Sequence, residues 1–147
     1  MKRNSIILPE EFLESAKKLY PEIDAANVEI RIDEQNFDSI FNFLIESDKK
    51  GKLIRKKKFA RILREILLGN YDDDLYGKEE VSSKAKNVTA MKFTGSNNYR
   101  IGCKEFFNGN KKVVMITAFH KKSTNGSKNS KKEIAIYEAI GSYEYEF

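Results

Sequence analysis

Apolar positions along the chain follow two regimes, and the change comes near residue 88. Before it they recur at three and four. Phe12, Leu13, Ala16, Leu19 and Tyr20 line one helical stripe, with Pro9 suited to its first turn, Glu10 and Glu11 where the dipole favours acids, and Pro21 as the stop. A second helix is predicted near 35–47, with Phe37, Ile40, Phe41, Leu44 and Ile45 inward, and the charged run DKKGK breaks it. A third carries Phe59, Ile62, Leu63, Ile66 and Leu67 on one side, with Lys57, Lys58, Arg61 and Arg64 elsewhere, until Gly69 and Asn70 end it. SIIL (5–8) reads as a first strand. VEIRI (28–32) alternates briefly, as a strand or an extended crossing.

After residue 88 the period shortens to two. VTAMKFT, NYRIGCKEFF and KKVVMITAF predict three strands, and Asn108-Gly109 is a hairpin signal between the last two. SKKEIAIYEAIG predicts a final helix, with Ser130 as N-cap, Glu133 completing a capping box and Gly141 at C′. The tail SYEYEF is an edge strand or an aromatic packing segment. This order predicts an α+β fold, with N-terminal helices on one face of a small curved antiparallel sheet and a C-terminal helix. No repeat or long Gly/Ser linker interrupts it, so residues 1–147 read as one domain.

Composition narrows the class. A chain 40% hydrophobic and 12% aromatic is not generally disordered. No apolar run approaches the ~20 residues that span a bilayer, and Ile6 to Leu8 is too short for a signal peptide, so a cytoplasmic protein without a membrane partner is expected. A single cysteine, Cys103, and a single histidine, His120, exclude an internal disulfide and a multi-cysteine zinc site, and neither metal nor cofactor is expected. The absence of Walker A, dinucleotide, nucleophile-elbow and HExxH patterns leaves kinase, dehydrogenase and zinc-protease readings without support.

Charge adds a direction. The formal net charge is +5, and more than half of the 27 basic residues lie in two stretches, 48–64 and 120–132, while YDDDLYGKEE (71–80) gathers five acids. Such separation focuses a field toward a polyanion or an acidic partner, or is a solvated face.

Arg100 and Lys92 sit inside predicted strands, where a cation must escape to solvent, pair, or face a groove, and His120 ends the next strand beside Lys121 and Lys122. Register decides whether they meet. A two-residue Asn108-Gly109 turn pairs Phe107 with Asn110, puts Arg100 opposite Thr117 and sends His120 to the other face. A three-residue connection, or a bulge, brings both to one face. Together they would suit metal-independent cleavage of RNA by its 2′-hydroxyl. Arginine grips the phosphate and histidine transfers the proton, as acid to the 5′-oxygen or as base.

The order LREILLGN, AKNVTAMKFTGSNNYRIGCKEFFNGNKKVVMITAFHKK, SKKEIAIYEA, over roughly residues 59–140, resembles the RelE/HigB-like toxins of bacterial type II toxin–antitoxin systems. YRI (99–101) and FHKK (119–122) carry most of the likeness. The resemblance implies a compact α/β ribosome-dependent mRNA endonuclease, acting on mRNA on the ribosome and held inactive by a cognate antitoxin. It implies Arg100, His120 and Lys92 as catalytic, and Lys121 and Lys122 as the family's K-K pair. Lys57, Lys58 and Arg61 are further candidate RNA contacts from the basic helix. The chain departs from the family pattern in having Lys92 where an arginine is common, in the acidic 71–80 loop, and in an insertion or elaboration at about 22–58. Two other classes stay open: a non-catalytic toxin that binds a protein target such as DNA gyrase, and a generic RNA-binding domain.

Overall fold

The structure is a computed structural model of the chain and describes residues 2–47, 50–93, 98–122 and 130–147. The elements run β1 (Ser5–Ile7), α1 (Glu10–Leu19), β2 (Val28–Asp33), α2 (Phe37–Ile45), α3 (Ile54–Leu68), β3 (Tyr76–Lys78), β4 (Val88–Phe93), β5 (Tyr99–Asn108), β6 (Lys111–Lys121) and α4 (Lys131–Ser142). The described strands form one six-stranded sheet in the order β1-β2-β6-β5-β4-β3. Neighbours are antiparallel except β2 and β6, which run parallel. The α+β expectation holds, with one parallel ladder in the middle of an otherwise antiparallel sheet.

The strands are apolar on both sides, so both sides need cover. Met91, Phe93, Ile101, Val114 and Ile116 face α1, α2 and α3, whose Phe12, Ile40, Leu44, Phe59 and Leu63 complete the main core. Val88 and Ala90 face Tyr137 and Ile140 of α4, and Val113 and Met115 lie under Tyr145 of the tail. Helices therefore occupy both faces, the N-terminal α1, α2 and α3 on one and α4 on the other, because alternate residues of β4 and β6 are apolar in both phases.

The segment 22–58 is part of this sheet and core through β2 and α2. The acidic stretch 71–80 holds β3, a three-residue edge strand whose Tyr76 is buried and donates to Glu105. Gly69 ends α3 in the left-handed conformation that its sequence position suggested (φ +76°). Gly141 does not end α4. It lies inside the helix, where a Cβ would sit 2.0 Å from the Lys84 carbonyl oxygen, so packing rather than capping requires glycine there. Cys103 is buried, and burial pushes its thiol up, as fits a core residue. Among the described residues no helix is long and apolar enough to cross a membrane.

At the sheet's β1 edge, one buried carboxylate ties three segments. Asp33 accepts from Arg3 Nε (2.6 Å), from the Tyr145 hydroxyl (2.7 Å) and from the Gln35 amide (2.9 Å).

Candidate functional site

The β5–β6 hairpin turns through Gly109 and Asn110, with Asn108 opposite Lys111 and Gly109 at φ +62°. The turn is thus one residue later than an Asn108-Gly109 loop. That ladder runs to Cys103 opposite Ile116, and continued without change it would put Arg100 opposite Phe119. A bulge intervenes. Thr117 is the extra residue, so Gly102 meets Ala118 and Arg100 meets His120. Thr117 is well held, because its Oγ1 donates to the Gly102 carbonyl (2.5 Å) and its own carbonyl accepts from Asn36 Nδ2 (2.8 Å).

On β4, Lys92 is the partner of Arg100. Lys92, Arg100 and His120 therefore stand in one row across three strands, on the face that α4 covers. The heads differ in what they reach. Lys92 Nζ turns to the β3 side, donating to the Asp73 carbonyl (2.6 Å) with Glu79 at 3.9 Å. Arg100 is only 8% exposed, and its Nη1 donates to Asn98 Oδ1 and the Tyr99 carbonyl, both neutral acceptors. Among the described residues no carboxylate oxygen lies within 4 Å of the guanidinium. A buried cation without an anion is costly, and it suits a site that an anionic ligand completes.

The His120 side chain is 10% exposed and packs edge-on against Tyr137, with ring centroids 5.5 Å apart. Among the described residues neither ring nitrogen has a hydrogen-bond partner. Glu133 comes nearest, its Oε2 3.8 Å from His120 Nε2, which is beyond hydrogen-bond length, and that oxygen is also unpartnered. Burial holds the His120 pKa below its ordinary value. The Glu133 carboxylate pulls the other way, and Arg100 and Lys122 add to the lowering. The imidazole is neutral at pH 7.

Glu133 and Tyr137 were not singled out as site residues. The capping box that Glu133 completes is present, through Ser130 Oγ accepting from the Glu133 amide (3.2 Å). The same side chain offers its second oxygen to His120. Spacing of four on α4 puts Tyr137 on the same side, which is the one signal the sequence carried for the pair.

The remaining candidates separate. Lys121 stands opposite Tyr99 on the α1–α3 face, while Lys122 belongs with His120 and anchors its amide to the Asn98 carbonyl (2.7 Å). Lys57, Lys58 and Arg61 project from α3, so the sheet stands between them and the row. Residues 123–129, which include Lys128 of the lysine-rich stretch after β6, lie outside the described residues. Among the described residues no group of three or more His, Cys, Asp or Glu is placed to hold a metal ion. Comparison of the chain with protein-family models, with curated proteins and with solved structures gives no match.

Proposed function

We propose that the chain is the toxin of a type II toxin–antitoxin system of RelE/HigB-like kind, a metal-independent, ribosome-dependent mRNA endonuclease. The observation that carries the reading is the row itself. A bulge puts a buried guanidinium, with no counter-ion among the described residues, directly opposite an imidazole whose nitrogens are unengaged among them. Phosphate oxygens would supply the charge Arg100 lacks, gripped by its planar fork.

The chemistry follows from those two groups. The RNA 2′-hydroxyl attacks the adjacent phosphorus, the bond to the 5′-oxygen breaks, and a 2′,3′-cyclic phosphate and a 5′-hydroxyl result. His120, neutral because burial lowers its pKa, takes the 2′ proton, and solvent water supplies the proton that the departing 5′-oxygen gains. Arg100 stabilises the charge developing on the phosphate. Lys92, held by the Asp73 carbonyl, contributes field from the side. Reaching RNA requires His120 to come out from beneath α4, and no hydrogen bond of its ring has to break for that. A cognate antitoxin would cover the cationic face with an acidic helix or strand.

The enclosure of His120 favours a second reading, a toxin that acts by binding a protein target and cuts nothing. Mapping 5′ ends of mRNA on translating ribosomes separates the two. The intact chain is expected to make discrete cuts, and Arg100→Ala and His120→Ala, with folding checked by circular dichroism, to slow them roughly 100-fold. An intact, folded chain that leaves mRNA uncut sinks the nuclease reading and leaves the binding one.

A further inference from the structure

An open cavity of about 600 Å³ lies at the same end of the sheet as Arg100 and His120, on the opposite face, between α2, α3 and the ends of β5 and β6. Small-molecule sites usually measure about 300–1,000 Å³. Its wall is aromatic. Phe43 and Phe119 stack with centroids 4.8 Å apart, and Tyr99 meets Phe43 edge-on at 5.2 Å. The Arg55 guanidinium lies 4.1 Å from the Phe43 centroid and 5.0 Å from that of Tyr99. Glu46 (2.6 Å) and the Phe43 carbonyl (3.3 Å) hold it there. Two polar groups of the lining have no partner among the described residues: the exposed Asn42 amide and the Tyr99 hydroxyl.

We infer that this cavity is a nucleobase site, taking one base of a single-stranded RNA. The partly exposed Tyr99 and Phe119 rings and the Arg55 guanidinium plane offer stacking surface, with Phe43 as the buried ring behind them, and the Asn42 amide and Tyr99 hydroxyl offer hydrogen bonds to a ring edge. Proteins read unpaired bases with these groups. A simple anion gains nothing from the rings, and Arg55, the cation in the wall, already has Glu46 as its counter-ion. A purely aliphatic ligand leaves the amide and hydroxyl unmatched. Lys121, exposed and opposite Tyr99, is placed to take a backbone phosphate beside the base. Tyr99 precedes Arg100 and Phe119 precedes His120, so the base site and the row alternate along the same two strand ends. The RNA polymer as source rests on the nuclease reading; the preference for a base does not.

The test uses the full chain and a fluorescein-labelled 2′-O-methyl oligoribonucleotide, which lacks the nucleophile, beside the same oligomer made abasic at each position in turn. Fluorescence anisotropy is expected to show at least one abasic oligomer binding roughly tenfold more weakly, in the range of one lost base–aromatic stack. Phe119→Leu, which keeps apolar volume, and Asn42→Ala, at an exposed side chain, should each reduce that base-dependent difference. Equal affinity for every abasic oligomer overturns the site even if ribosomal mRNA is cut. A base-dependent difference in a chain that cuts nothing keeps the site and removes the nuclease. Competition with adenosine monophosphate then separates the sources: no displacement supports a base carried in RNA, and displacement at equal affinity overturns RNA in favour of free nucleotide.

Discussion

His120 feels a dry surrounding and the cations Arg100 and Lys122, which lower its pKa, and against them a carboxylate at 3.8 Å, which raises it. Burial is the largest, so its pKa is lower in the folded than in the unfolded chain. Protonation then favours the unfolded state, and the stability linked to this group is present above pH ~6.5 and declines as pH falls below it. Thermal unfolding between pH 7.5 and 5.5 should show a downward slope in the wild type that is shallower in His120→Asn. An equal or steeper slope in the variant would mean that Glu133 wins over burial. Residue type and position made Arg100 and His120 legible as candidates in the sequence. Their partnership was not, because it depends on which of Thr117 and its neighbours is extra in the ladder. Nothing in the run MITAF marks that choice; the stabilising bond comes from Asn36, far away in sequence.

The elements that bury one face at helical spacing, α1, α2 and α3, were readable because a stripe of apolar residues leaves little freedom. β3 was not, since three residues in an acidic run cannot display alternation. Gly141 shows local and tertiary demands competing. Its place in the sequence suggests a helix stop, yet α4 continues past it because glycine there admits the backbone of Lys84 and Ala85. Gly141→Ala should gain about 1 kcal/mol in helix propensity and lose more to overpacking. A net destabilisation of about 2 kcal/mol by chemical denaturation is expected. At Gly102 the obstructing atom is Ile140 Cδ1, the end of a side chain that can turn, at 2.3 Å. Gly102→Ala should therefore cost less, about 1 kcal/mol. The reverse ranking would mean that α4 shifts on the sheet more easily than Ile140 rotates.

Over the whole molecule, the α+β class was legible and the wiring was not. Two helical faces of one sheet follow from apolar residues in both phases of β4 and β6, whereas a parallel β2–β6 ladder leaves no local trace in either strand. The Asp33 clasp was equally hidden, since Arg3 and Tyr145 join it from opposite ends of the sequence. Asp33→Ala strips the partner from Arg3 and the acceptor from Tyr145, and is expected to cost about 3 kcal/mol in urea unfolding. A loss below 0.5 kcal/mol would show that solvent replaces the carboxylate without penalty.

The parallel ladder also sets an order in time. Val28 to Ile32 pair with Lys112 to Ile116, so as the chain is made β1 and β2 emerge with one edge of β2 open, and they wait until β6 exists. Unpaired apolar strand edges are where growing chains meet chaperones or one another. The first half of this protein thus cannot close its sheet until its second half has been translated.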